Sequence, residues 1–154
     1  MSAARDLVFA DPSYVTSKWN AEVRIDRAPV TTSASPQVPT WTSAVVKRLN
    51  DLLRLDHNWD SYGATKPSSN AAEALVKVLC DVARSDTPAP AVVPSPAGHF
   101  QAEWHRNGID LELEVVTPTK ILVSYSDAQD SWDEEFSLDV TRLAYAVRQI
   151  GRTP

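Results

Sequence analysis

Phe100-Gln-Ala-Glu-Trp-His-Arg-Asn-Gly-Ile-Asp-Leu-Glu-Leu-Glu-Val115 alternates apolar and polar residues on both sides of Asn107-Gly108. An Asn-Gly pair between two alternating segments is the strongest short-range hairpin signal, because a type I′ turn needs positive φ at both central positions. With those two residues as the loop, Arg106 pairs with Ile109. Trp104 then opposes Leu111, Ala102 opposes Leu113 and Phe100 opposes Val115, and these residues share one face. The other face receives His105 opposite Asp110, Glu103 opposite Glu112 and Gln101 opposite Glu114. One side of the ribbon is apolar and the other is crowded with carboxylates.

Downstream, Lys120 to Ser126 places Ile121, Val123 and Tyr125 in alternation, and a three-residue loop at Thr117-Pro118-Thr119 puts them on the apolar face. A fourth strand is predicted from Trp132 to Leu138, with Trp132, Phe136 and Leu138 in phase. Asp139 then caps a last helix with Val140, Leu143, Ala144, Val147 and Ile150 on one stripe. Arg142, Arg148 and Arg152 lie off that stripe, and the last two suit the negative end of the helix dipole.

Upstream, a helix is predicted from Thr42 to Arg54. Its apolar face is Trp41, Val45, Leu49, Leu52 and Leu53, and Thr40 or Thr42 serves as cap. A second helix is predicted from Ala71 to Arg84, with Asn70 as N-cap and Glu73 as its capping-box partner. Its stripe is Ala71, Leu75, Val78, Leu79 and Val82, with Cys80 beside it as a packing residue. Between the helices, Asp56 to Gly63 is dense in Asp, Asn, Ser and Gly, which favours turns. The segment Thr87 to Gly98 must be extended, and its four prolines exclude a central strand. Residues 1–40 read as an irregular segment, with short strands at Leu7-Val8-Phe9 and Glu22-Val23-Arg24-Ile25 and a linker or ordered surface loop at Thr31 to Thr40.

The expected fold is therefore α+β: a four-stranded antiparallel meander packed against two or three amphipathic helices, with residues 41–154 as one domain. The chain length of 154 residues suits a single domain with a real core. One cysteine rules out an internal disulfide and fits a reducing compartment. No apolar run approaches the roughly 20 residues of a membrane span, and Met1 to Ala10 lacks a secretion-signal pattern. A cytoplasmic protein without membrane association is expected.

The net charge of -5 is unevenly spread. Phe100 to Asp139 holds ten acidic residues against Arg106 and Lys120, a net of -8, which leaves +3 for the rest. An acidic sheet repels phosphate, which argues against direct nucleic-acid binding, and attracts a basic protein surface.

Two groups are candidate binding residues. Trp59, Asp60 and Tyr62 put two aromatics and a carboxylate on a turn, as at binding hot spots. In the competing structural role both rings fold back onto the sheet while Asp60 satisfies backbone donors. Glu103, His105, Glu112 and Glu114 form the second group. Like charges directly opposite one another destabilise a sheet, so Glu103 and Glu112 serve a basic partner, bind a divalent metal, or are bridged by Arg or Lys from a helix or simply solvated. His57, His99 and His105 are scattered, without ligand spacing. No glycine-rich phosphate loop or nucleophile elbow is present. Neither a cofactor nor a catalytic residue is expected.

The segment His57-Asn-Trp-Asp-Ser-Tyr-Gly-Ala64, the Pro-Ala-Val-Val-Pro-Ser-Pro-Ala-Gly98 stretch, Glu103-Trp104 and Asp110-Leu-Glu-Leu-Glu114 together resemble a family of small uncharacterised bacterial proteins. Their shared pattern is a Trp-Asp-x-Tyr-Gly-Ala turn between two helices, then a proline-flanked entry into a Glu-Trp and Leu-Glu hairpin. The resemblance covers about residues 45–125 and carries no site residues with it. Here Gly98 is followed by His99, where the pattern leads one to expect a second small or polar residue. The favoured functional expectation is a non-enzymatic protein-binding module, of inhibitor, antitoxin-like or phage-conflict accessory type. The alternatives are a metal-dependent hydrolase or nuclease built on the glutamates, and a subunit that self-associates through a sheet edge as a homo-oligomer.

Overall fold

The computed structural model describes residues 38–152. The short strands expected at residues 7–9 and 22–25, and most of the linker at 31–40, lie outside the described residues.

The hairpin pairs in the predicted register. Strands β2 (Phe100–Arg106) and β3 (Ile109–Thr117) place Arg106 opposite Ile109, Trp104 opposite Leu111 and Phe100 opposite Val115. Asn107 and Gly108 carry φ of 55° and 73°, the left-handed conformation the two-residue turn requires. Strands β4 (Lys120–Ser126) and β5 (Ser131–Phe136) continue the meander.

The sheet has five strands rather than four, in the order β1-β2-β3-β4-β5 and antiparallel throughout. The additional strand is β1 (Ala91–Pro94), from the proline-rich stretch. Its prolines do keep it out of the centre: it is a four-residue edge. Arg48 Nε donates to the Val92 carbonyl at 3.1 Å, so one backbone acceptor of that edge is taken.

Three helices among the described residues cover one face of the sheet: α1 (Thr42–Leu52), α2 (Ser69–Val82) and α3 (Thr141–Ile150). Helix α2 lies over β2 and β3 and also contacts α3, while α1 lies beside β1. The core joins Leu49 of α1, Leu75 and Leu79 of α2, Leu143 and Ile150 of α3, and Phe100, Leu111, Leu113 and Val115 of the sheet, all fully buried. Two core tryptophans keep their ring N–H satisfied, as buried indoles must. Trp41 Nε1 donates to the Arg84 carbonyl at 3.2 Å and Trp104 Nε1 to the Pro88 carbonyl at 2.8 Å.

Several local expectations need correction. Helix α2 begins two residues earlier than predicted: Ser68 is its N-cap, in an extended conformation, and its hydroxyl accepts from Ala71 N at 3.1 Å. Asn70 therefore sits in the first turn, and the capping box with Glu73 does not form. Neither threonine caps α1. Thr40 Oγ1 donates to the Ser85 carbonyl at 3.1 Å, while Thr42 is buried with its hydroxyl unpartnered among the described residues.

The β3–β4 connection is a two-residue turn at Pro118-Thr119 with a bulge between Val115 and Thr117. The bulge absorbs Val116 and restores the phase, so Ile121 opposes Val115 and the row Ile121, Val123, Tyr125 still faces the core. Strand β5 stops at Phe136, and Leu138 is 85% exposed rather than in the core. The chain bends before that position and enters the Asp139 turn, where Asp139 Oδ1 accepts from Thr141 N at 3.0 Å.

Candidate functional site

Because side chains alternate across a strand, the pairing that buries one face dictates the other. On the outer face the register aligns three rows. The first runs Ala91, Glu103, Glu112, Ser124, Asp133, and the second runs Val93, Gln101, Glu114, Leu122, Glu135. The third runs His105, Asp110, Ser126, Ser131. Six carboxylates thus share one surface: Glu103, Asp110, Glu112, Glu114, Asp133 and Glu135. Among the described residues Lys120 is the only lysine or arginine of that phase, and it sits at the turn end of β4 beyond the rows.

The structure brings together all four hairpin residues singled out in the sequence. It also shows how the like-charged pair Glu103 and Glu112 is tolerated. No lysine or arginine bridges them among the described residues; each has its own neighbour instead. Glu112 accepts from Gln101 Nε2 at 3.1 Å, and Glu103 lies 3.6 Å from His105 Nε2. The other ring nitrogen of His105 meets Asp110 at 2.8 Å. The Asp110 hydrogen bond raises the His105 pKa above its ordinary 6.5, with a smaller push from Glu103, against a partial opposing effect of desolvation. His99, reached through the β1–β2 turn, stands 3.3 Å from Glu114. Two imidazoles, not lysine or arginine, thus contact the carboxylates of these rows among the described residues.

Asp133 and Glu135 of β5, with Leu122 and His99, are members of this face that sequence reasoning left out. The period-2 phase of β5 held the signal: Trp132 and Phe136 inward imply Asp133 and Glu135 outward. Between β2 and β5 the rows border an open groove of about 430 Å³ lined by Gln101, Glu112, Glu114, Leu122, Asp133 and Glu135 among others. Leu122 is 40% exposed, an apolar side chain ringed by acids. Glu134 points to the opposite side, where it pairs with Arg142. Arg142 also lies 4.2 Å from the centre of the Trp132 ring, and that ring stacks on Tyr125. The Tyr125 hydroxyl donates to Asp127 at 2.6 Å, and burial followed by that bond pushes its pKa up to about 12.

The second predicted group divides. Asp60 Oδ1 accepts from the backbone N–H of Tyr62 at 2.8 Å and of Ala64 at 3.0 Å, and these bonds hold its pKa below the usual carboxylate value. Asn58 Oδ1 accepts from Gly63 N at 2.6 Å. Trp59 Nε1 donates to the Thr65 carbonyl at 3.3 Å. Asn58, Ser61 and Gly63 all take positive φ. Asp60 thus satisfies backbone donors of the turn, and Trp59 bonds within the same turn; it is not among the partly buried apolar residues that pack on the core. Tyr62 does not fold back onto the sheet: it is 94% exposed, because the left-handed residues on either side of it turn its side chain outward. Thr65 N donates to the Pro96 carbonyl at 2.8 Å and ties the turn to the β1–β2 connection. No hydrogen bond or ion pair among the described residues links Tyr62 to the carboxylate rows.

Among the described residues, no group of three or more His, Cys, Asp or Glu is arranged to hold a metal ion. No described helix is long and apolar enough to cross a membrane. No protein family, curated protein or solved structure matches the chain.

Proposed function

We propose that this chain is a non-enzymatic protein-binding module whose outer sheet face meets a basic surface on a partner protein. The observation that carries this reading is the alignment of six carboxylates on one strand-paired surface, where among the described residues the rows hold histidine but no lysine or arginine. Such a face steers a cationic partner and excludes phosphate. Leu122 supplies an apolar centre within the charged rim, the anatomy of a small interface. Strand pairing fixes the backbone positions from which the carboxylates project, which sets their spacing for a partner. A face of this kind acts by occlusion. It covers cationic surface that would otherwise meet phosphate, which is how an inhibitor or antitoxin-like module works.

Affinity capture from the native host tests the proposal. The expected result is one partner at one-to-one stoichiometry, with a basic surface, released as salt is raised past the screening range. Recovery of the chain alone at every salt concentration contradicts it. Millimolar Mg²⁺, Mn²⁺ or Zn²⁺ is expected to leave the melting temperature unchanged. A saturable upward shift favours the metal-dependent reading instead.

A further inference from the structure

A second charged surface lies on the helical side, away from the carboxylate rows. The chain leaving α2 and the chain leaving α3 border a cleft of about 200 Å³ lined by Arg84, Asp86, Thr87, Arg148, Gly151 and Arg152. Three arginines and one aspartate thus line one cleft in a protein of net charge -5. We propose that this cleft is an anion site for a phosphate-class dianion, an inorganic oxyanion or the phosphoryl group of a small ligand.

The ordinary role for arginines at helix C-termini is to neutralise unpaired carbonyls. Here four carbonyls bordering the cleft already have other donors. The Arg84 carbonyl accepts from Trp41 Nε1 at 3.2 Å and from Thr87 N at 3.2 Å. The Ser85 carbonyl accepts from Thr40 N at 2.9 Å and from Thr40 Oγ1 at 3.1 Å. The Gln149 carbonyl accepts from Arg152 N at 3.2 Å, and the Arg152 carbonyl from Asn107 Nδ2 at 3.1 Å. None of these four carbonyls takes its donor from a guanidinium.

The side-chain partners of the arginines are weak. Arg84 Nε stands 3.7 Å from Asp86, both largely exposed, a pair of small net value. Arg152 Nη1 reaches only Gln149 Oε1, at 3.3 Å. The Arg148 side chain has no hydrogen bond or ion pair among the described residues.

The cleft is preorganised by its backbone. Thr87 Oγ1 accepts from Arg84 N at 2.8 Å and closes the 84–87 turn. The Asn107 bond pins residue 152 to the β2–β3 turn. Arg148, in the last turn of α3, and Arg152, just past its C-cap, line the same cleft. The volume falls below the roughly 300 Å³ at which drug-sized ligand sites begin, which suits a single oxyanion group. Planar guanidinium forks match its oxygens in pairs.

Titrating the full chain with inorganic phosphate, against chloride at equal ionic strength, tests the site by nuclear magnetic resonance. The expected result is saturable shifts at the Gly151 amide and at the Arg148 and Arg152 side-chain N–H groups. Sulfate should compete and acetate should not. Arg148→Ala, an exposed change to a good helix former, should weaken binding about tenfold, and Asp86→Asn should tighten it by removing the competing carboxylate. Shifts that never saturate, or an affinity that neither variant changes, overturn the proposal. The carboxylate face plays no part in this test, so its outcome is independent of the partner reading.

Discussion

The two faces of the β2–β3 hairpin are built from alternate residues of the same two strands, yet they obey different rules. On the inner face Phe100, Ala102, Leu111, Leu113 and Val115 are fully buried beneath the helices, and their contribution is the removal of apolar area from water. On the outer face Glu103, Glu112 and Glu114 are only half-buried and are held by Gln101, His99 and His105. The inner face accounts for stability. The outer face accepts a like-charge arrangement that stability alone does not ask for. The difference teaches that the carboxylates can be changed without losing the fold, whereas their neighbours one residue away cannot.

Replacing Leu113 by Ala should break the comparison from the inner side, with a loss of about 2–5 kcal/mol on denaturant unfolding. The adjacent outer change, Glu112→Gln, should stay within about 0.5 kcal/mol. Equal losses at the two positions would erase the distinction. The turn that separates the faces comes next: Gly108→Ala forces a Cβ into a φ of 73° and should cost about 1–2 kcal/mol. Ser68→Ala removes the α2 cap and should cost about 1 kcal/mol.

The smallest effect sharpens the outer side. The His105 pKa is raised in the folded protein, so the folded state binds that proton more tightly than the unfolded chain does. Its contribution is complete below the unfolded value of about 6.5 and fades as pH rises through the folded value. The stability gap between the protein and His105→Gln should therefore be widest under mildly acidic conditions and close under alkaline ones. A gap that widens with rising pH contradicts the Asp110 and Glu103 contacts.

The hairpin was legible because Asn107-Gly108 fixes a two-residue loop, and a fixed loop fixes every pair behind it. Where local chemistry was less exclusive, reading fell short. Pro90 and Pro94 correctly kept β1 from the centre, but nothing in Ala91-Val-Val-Pro94 marks an edge strand, since edge pairing is decided by what β2 leaves open. The bulge at Val116 is invisible to a phase count, because a three-residue loop without a bulge yields the same faces. Leu138 continues the β5 alternation on paper, but Phe136 ends the strand. The site was half legible: Glu103, Glu112 and Glu114 follow from the hairpin, whereas Asp133 and Glu135 needed β5 placed beside β4. The outward Tyr62 depended on positive φ at Ser61, which its residue type does not dictate. The arginine cleft joins positions more than sixty residues apart in the chain, beyond the reach of any local pattern.

The most direct test of the central claim is one triple variant, Glu112→Lys, Glu114→Lys and Glu135→Lys, read for unfolding midpoint and for retention of the captured partner together. The account predicts a nearly unchanged midpoint and loss of the partner. A collapsed midpoint would make the carboxylates part of the fold's support, and an undiminished partner would show that this face is not where it binds.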